Sequence, residues 1–97
     1  MRLQGKTCLV TGGSSGIGAA AVKRFVQEGA DVIIVDLNIE DATLLAEKLG
    51  SSVTAFECDV RSGEDVKKIA NEIHKEWTQI DVLVNNAGWE LNKTYDE

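Results

Sequence analysis

The chain is short of the groups on which several classes of function depend. Its 97 residues include one histidine, His74, and two cysteines, Cys8 and Cys58, with none of the close ligand spacings that mark a metal site. No metal ligand is assigned. Both cysteines fall in or at the ends of strand-like stretches and read first as buried free thiols, with a disulfide or a metal site as the alternatives. The only histidine sits inside a helical stretch, so nothing supplies a base to activate either thiol. Basic charge is also scarce: 10 Lys and Arg stand against 16 Asp and Glu, a formal net charge of −6, and the bases are scattered. Nucleic acid or an anionic membrane surface would require a basic face. No apolar run approaches the ~18 residues that suggest a membrane span, and no basic-then-apolar signal segment separates Met1 from the first strand-like stretch. A cytoplasmic protein is the default expectation. The length is that of one small domain, well below that at which a large core forms.

What the chain does have is a glycine-rich turn in a particular setting. The apolar run Thr7-Cys8-Leu9-Val10 is followed by Thr11-Gly12-Gly13-Ser14-Ser15-Gly16-Ile17-Gly18, where an apolar helical period begins. A strand that stops in glycines and restarts as a helix gathers backbone N–H groups at the positive helix end, which suits a phosphate. Gly12, Gly16 and Gly18, at spacings of four and two, have separable uses: a tight turn, close approach of a ligand, and close passage of the helix. A second strand-like run ends in Asp36, 18 residues after Gly18, about where a βαβ unit sets a carboxylate against an adenosine ribose. The expected ligand is a dinucleotide. The turn lacks the Lys-Ser/Thr pair of a P-loop, which argues against ATP or GTP hydrolysis.

Along the chain, strands are expected over 6–11, 30–35, 53–58 and from Asp81 to Val84. Between them the periodicity predicts three helices. The first runs from Ile17 to about Glu28, with Ile17, Ala21 and Phe25 in period together with Ala20, Val22 and Val26, and Gly29 closing it at positive φ. The second is capped by Asn38, carries Asp41 in its first turn and Leu45, Ala46 and Leu49 as its buried stripe, and ends at Gly50. The third is capped by Ser62 with Asp65 three residues on, and presents Val66, Ile69, Ala70, Ile73 and Trp77 to the core, leaving His74 outside. The order βαβαβαβ predicts a partial three-layer α/β/α Rossmann-type parallel sheet with strand order 3-2-1-4. Its ligand crevice would be flanked by the turns at Gly12, Asp36, Asp59 and Asn86. Residues 89–97 are polar, show no period and read as a poorly ordered tail. Residues 1–97 then form a single, truncated domain, because strand four is written for a covered position yet has nothing after it to cover it.

Three motifs in order, Thr11-Gly12-Gly13-Ser14-Ser15-Gly16-Ile17-Gly18, Cys58-Asp59-Val60 and Asn85-Asn86-Ala87-Gly88, make the chain resemble the first part of a classical short-chain dehydrogenase/reductase from Leu3 to Gly88. The resemblance implies that Gly12, Ser14, Ser15, Gly16, Ile17 and Gly18 line the cofactor pyrophosphate and adenosine ribose. It further implies that Asp36 and Leu37 hold the ribose hydroxyls, that Asp59 and Val60 border the adenine, and that Asn86, Ala87 and Gly88 pass near the nicotinamide ribose. Asn85 would tie strand four to its neighbour. A carboxylate at Asp36 also favours NAD over NADP, since it would face the added 2'-phosphate; the alternative for Asp36 and Asp59 is that each merely caps the turn after its strand.

The family's chemistry is implied to use a serine, a tyrosine with a lysine four residues later, and an asparagine, from a later part of the domain. Tyr95 is followed only by Asp96 and Glu97, so no catalytic residue is assigned. The implied whole is an NAD-dependent oxidoreductase of secondary alcohols or ketones, homo-oligomeric, with Asp36-Leu37-Asn38 and Ala87-Gly88-Trp89-Glu90 similar to members that act on hydroxyacyl-CoA-type substrates. The competing expectation is a noncatalytic dinucleotide-binding or interaction module, or an inactive gene fragment.

Overall fold

The run Val32-Ile33-Ile34-Val35 has no polar residue, so a strand made of it must be covered on both faces. In the computed structural model, which describes residues 2–14 and 16–86, all four of these side chains are buried. The elements are β1 (Thr7–Thr11), α1 (Gly16–Gln27), β2 (Asp31–Asp36), α2 (Ile39–Leu49), β3 (Val53–Glu57), α3 (Gly63–Glu76) and β4 (Val82–Asn85). They form a parallel sheet in the order β3-β2-β1-β4, the expected partial α/β/α arrangement. Ala87, Gly88 and the expected tail over 89–97 lie outside the described residues, as do Met1 and Ser15.

Alternation along β2 divides the interior. Val32 and Ile34 join Cys8, Val10 and Val53 against α1 and α2, whose Val22 and Ala42 are fully buried. Ile33 and Val35 point the other way, to Cys58 and to Ile73 of α3, with Phe56 and Trp77 in edge-to-face contact at 6.1 Å. The two cysteines thus sit on opposite faces of the sheet, both free and buried as the sequence suggested. Burial pushes both thiols above their ordinary value, with Asp81 adding to the effect at Cys8 and Asp65 and Asp59 at Cys58.

The caps explain where the helices start. The Asn38 side chain accepts from the Asp41 N–H at 3.1 Å and that of Ser62 from the Asp65 N–H at 3.3 Å. Asp65 does not complete a capping box by reaching back to Ser62; its carboxylate accepts from the Asp59 N–H at 3.3 Å and so ties α3 to the end of β3. Gly29 and Gly50 take φ of 90° and 111° beyond α1 and α2. Trp77 follows α3 as its C-cap, half-buried against the core, and His74 is exposed.

In α1 and α3 the covered stripe is only part of the expected set. Ile17 is 73% exposed, and the buried side of α1 is Gly18 and Val22, with Phe25 and Val26 half-buried. In α2 the deepest residue is Ala42, while Leu45, Ala46 and Leu49 are partly buried around it. In α3 Val66 and Ala70 are exposed, which narrows the stripe to Ile69, Ile73 and Trp77. Periodicity specifies which residues share a face, but the helix's seat on the sheet decides which edge of that face is covered. The strand ends also shift. Asp81 precedes β4 because it works as an entry clamp: its side chain accepts from the Thr7 N–H at 2.8 Å and its own N–H donates to the Thr7 carbonyl.

Ile34 and Leu44 lose comparable side chains on truncation but differ in burial, at 0% and 63% exposure. Ile34→Ala is expected to cost about 2–5 kcal/mol, and Leu44→Ala no more than about 0.5 kcal/mol. Urea unfolding of the two variants beside the parent checks this, and equal losses would mean that the core is not where β2 places it.

Candidate functional site

The turn between β1 and α1 is fixed by two separate demands on its glycines. Gly12 and Gly16 take positive φ, 68° and 58°, where a side chain is strained. Gly13 and Gly18 are confined by space instead. A Cβ on Gly13 would lie 3.0 Å from Ile34 Cγ2, and one on Gly18 would lie 2.1 Å from the Gly12 carbonyl oxygen and 2.9 Å from Asn86 Nδ2. At Gly16 the corresponding space is open. The turn therefore has a packed inner side at Gly13 and Gly18 and a clear outer side at Gly16.

Charge at the N-termini of the three described helices is not alike. Glu40 and Asp41 stand in the first turn of α2, and Glu64 and Asp65 in that of α3, each answering the partial positive charge of its helix. The first turn of α1 carries no acid. Its apolar Ile17 is held in the open beside these N–H groups.

Asp36, the last residue of β2, lies against the turn. Its Oδ2 accepts from the Ser14 N–H at 3.0 Å and its Oδ1 from the Asn38 N–H at 2.9 Å. The second contact is an Asx-turn, so the capping use of this residue does occur; the first spans 22 positions and belongs to the tertiary fold. Leu37 is exposed beside it.

Asp59 lies after β3 and is engaged by one cation. Its Oδ1 accepts from the Arg61 N–H and from Nε, both at 3.0 Å, and its Oδ2 from a terminal guanidinium nitrogen at 3.1 Å. These side-chain and backbone hydrogen bonds from Arg61 hold the carboxyl below its ordinary 3.8. Leu37, Glu57, Asp59, Asp65, Lys68 and Ile69 enclose a cleft of about 180 Å³ at this end of the sheet. Val60 is half-buried next to it and packs on the second core cluster.

The end of β4 closes the site from the far side. Asn85 pairs in register with Thr11, whose hydroxyl donates to Asn85 Oδ1 at 3.0 Å, and the Asn86 side-chain amide donates to the Gly12 carbonyl at 3.0 Å. Strand four is thus tied to its neighbour by both asparagines. The structure gathers Gly12, Ser14, Gly16, Ile17, Gly18, Asp36 and Asn86 around one turn and sets Leu37, Asp59 and Val60 at the adjacent cleft. Ser15, Ala87 and Gly88 lie outside the described residues. Sequence reasoning missed three contributors. Gly13 stood among more conspicuous glycines, Thr11 looked like the end of a strand, and only the i, i+2 placement of Arg61 after Asp59 signalled their pairing. Among the described residues, no group of His, Cys, Asp and Glu could hold a metal ion, and no helix is long and apolar enough to cross a membrane.

Two variants probe this geometry. Gly18→Ala is expected to destabilise the protein by about 1–3 kcal/mol, because backbone rather than a flexible side chain must yield; a denaturation midpoint equal to the parent's would show that the turn gives way without cost. The folded-state pKa of Asp59 is depressed, so its stabilising contribution is present above the unfolded value and is lost as pH falls through the folded one. In Arg61→Ala the Asp59 carboxyl should titrate closer to 3.8, and the stability difference from the parent should shrink as pH drops below that value. Carboxyl NMR titration with denaturation at several pH values reads both.

Residues 6–97 match the family described as short chain dehydrogenase. The D-threitol dehydrogenase of Mycolicibacterium smegmatis is 46% identical over 90 residues, which are 90% of this chain and 35% of that protein. A short chain aldehyde dehydrogenase of Euphorbia lathyris is 43% identical over 89 residues, 90% of this chain and 31% of the relative. Among solved structures, the 3-ketoacyl-(acyl-carrier-protein) reductase of Brucella melitensis, complexed with NADH, superposes with a TM-score of 0.79 at 33% identity, covering 84% of this chain and 34% of that one. The chain thus spans about a third of the length of these proteins. With the glycine turn, the 3-2-1-4 sheet and a family match over nearly its whole length, the chain belongs to the short-chain dehydrogenase/reductase family, whose NAD(P)-binding Rossmann fold it carries.

Proposed function

We propose that the chain is the amino-terminal, NAD-binding part of an NAD-dependent oxidoreductase acting on a secondary alcohol or its ketone in the cytoplasm. The observation that carries the reading is the turn itself: α1 alone among the three described helices has no acid in its first turn, and it opens onto glycines whose outer side is clear. That is a place for a diphosphate. Gly12, Ser14, Ser15, Gly16, Ile17 and Gly18 would hold the pyrophosphate, Asp36 and Leu37 the adenosine ribose, Asp59 and Val60 the adenine edge, and Asn86, Ala87 and Gly88 the nicotinamide ribose. The bound nicotinamide would supply the hydride acceptor or donor. Residues of this chain would bind and orient it, and none is given an acid/base role.

Asp36 supports NAD over NADP. A carboxylate has about four lone-pair positions; two are used by Ser14 and Asn38, which leaves two for a pair of ribose hydroxyls. A 2'-phosphate in their place would set two negative groups about 4 Å apart, a repulsion of about 4 kcal/mol at an effective dielectric of 20 before salt and water weaken it. The relatives' names cover a polyol, an aldehyde and a ketoacyl thioester, so the proposed substrate stays at the level of an alcohol or carbonyl compound, with a hydroxyacyl-CoA type as a narrower candidate. A homo-oligomer is proposed for the whole protein.

The test is a set of paired dissociation constants for NAD and NADP in the protein carrying this chain. Asp36→Ala should narrow or reverse the preference for NAD, whereas Asp59→Ala should weaken both cofactors to a similar extent, because the adenine is common to them. A ratio unchanged by Asp36→Ala would reduce Asp36 to a turn residue.

A further inference from the structure

The Asp36 carboxylate touches two parts of the chain that sequence distance keeps apart. Its Oδ1 closes the local turn on Asn38, and its Oδ2 takes the Ser14 N–H from the glycine-rich turn, at 3.0 Å and in a half-buried setting. The second contact has a cost. An N–H in this turn is one that could otherwise face an anion, and a negative charge beside it opposes a phosphate. Elsewhere the turn is held from its inner side, by the Asn86 amide on the Gly12 carbonyl and by the packing of Gly13 and Gly18. Ser14 is where the carboxylate reaches it.

We propose that Asp36 is a positioning residue for the phosphate cradle as well as a ribose ligand: by accepting the Ser14 N–H it holds the outer limb of the glycine turn in the shape that receives the diphosphate. This deepens the cofactor reading above and rests on it for its ligand, though not for the strut itself. One carboxylate then couples the two halves of the nucleotide. Ribose hydroxyls donating to its free lone pairs would stiffen the group that braces the turn, and a seated phosphate would stiffen the turn that orients the carboxylate. The simple charge argument and the strut make opposite predictions for a ligand with no ribose hydroxyls. Removing a negative charge should tighten its binding, while removing a brace should loosen it.

Two variants separate the roles. In Asp36→Asn a single oxygen is left for two N–H donors; the local Asx-turn to Asn38 is expected to keep it, with the new amide, a donor, turned to the Ser14 N–H, so that the strut is lost selectively. In Asp36→Ala both contacts go. Amide hydrogen exchange on the ligand-free protein carrying this chain should show Ser14 exchanging about tenfold faster in both variants, and Asn38 faster only in Asp36→Ala. The Ile33 and Ile34 amides, deep in the sheet, should stay as in the parent and report that the fold is intact. An unchanged Ser14 rate in Asp36→Ala with an intact core overturns the strut, whatever the protein binds. The ligand arm uses an NAD analogue lacking both hydroxyls of the adenosine ribose. Asp36→Asn should weaken it by about fivefold, and equal or tighter binding overturns the proposal. If the parent does not distinguish NAD from this analogue, the ribose reading fails while the exchange result still decides the strut.

Discussion

Where a helix must leave the end of a strand and turn back over it, the backbones meet, and the fold depends on their being allowed to. Here the meeting point is the Gly12 carbonyl. Gly18 passes so close that the hydrogen in place of a side chain is the reason α1 can be seated, and Asn86 donates to the same oxygen from the end of β4. Three elements separated in sequence thus converge on one atom. The buried run of β2 then fixes the rest, because Gly12 N–H extends the ladder onto the Val35 carbonyl at 2.8 Å and brings Asp36 alongside the turn.

The helices divide unequally over this sheet. α1 and α2 cover the face that holds Cys8 and Ile34, and α3 covers part of the other through Ile73, Ile69 and Trp77. Leu9 and its register partner Leu83 belong to that second face, and Leu83 is 65% exposed among the described residues. The side chains that close the site, by contrast, are held from both ends: Asp81 clamps the entry of β4 to Thr7, and Asn85 and Asn86 clamp its exit to Thr11 and Gly12.

Much of this was legible in the sequence, for a physical reason. Uninterrupted apolar runs separated by capped, periodic segments leave few alternatives to a parallel sheet with crossovers, and local signals such as Asn38, Ser62 and Gly29 act within a few residues of where they are written. The candidate site was readable to the extent that its residues are positioned by strand ends, as with Gly12, Asp36, Asp59 and Asn86. The rest depended on packing. Whether Ile17 faces inward turns on how α1 rolls about Gly18, and the Asp36–Ser14 contact exists only once β1 and β2 lie in register. The engagement of Asp59 by Arg61 was signalled only by their i, i+2 spacing, and the rotamer that completes it was not.

The uneven placement of acids at the helix starts reaches beyond the turn. The −6 charge of this chain opposes an incoming polyanion at distance, and at the proposed phosphate site the backbone N–H groups of α1 would attract it only close by. With a screening length of about 8 Å at physiological ionic strength, the outer repulsion is largely damped while the inner contacts are left nearly intact. Capture of a dinucleotide would then be a short-range event, helped rather than hindered by moderate salt, the reverse of the behaviour of proteins that draw their anions in with a basic surface.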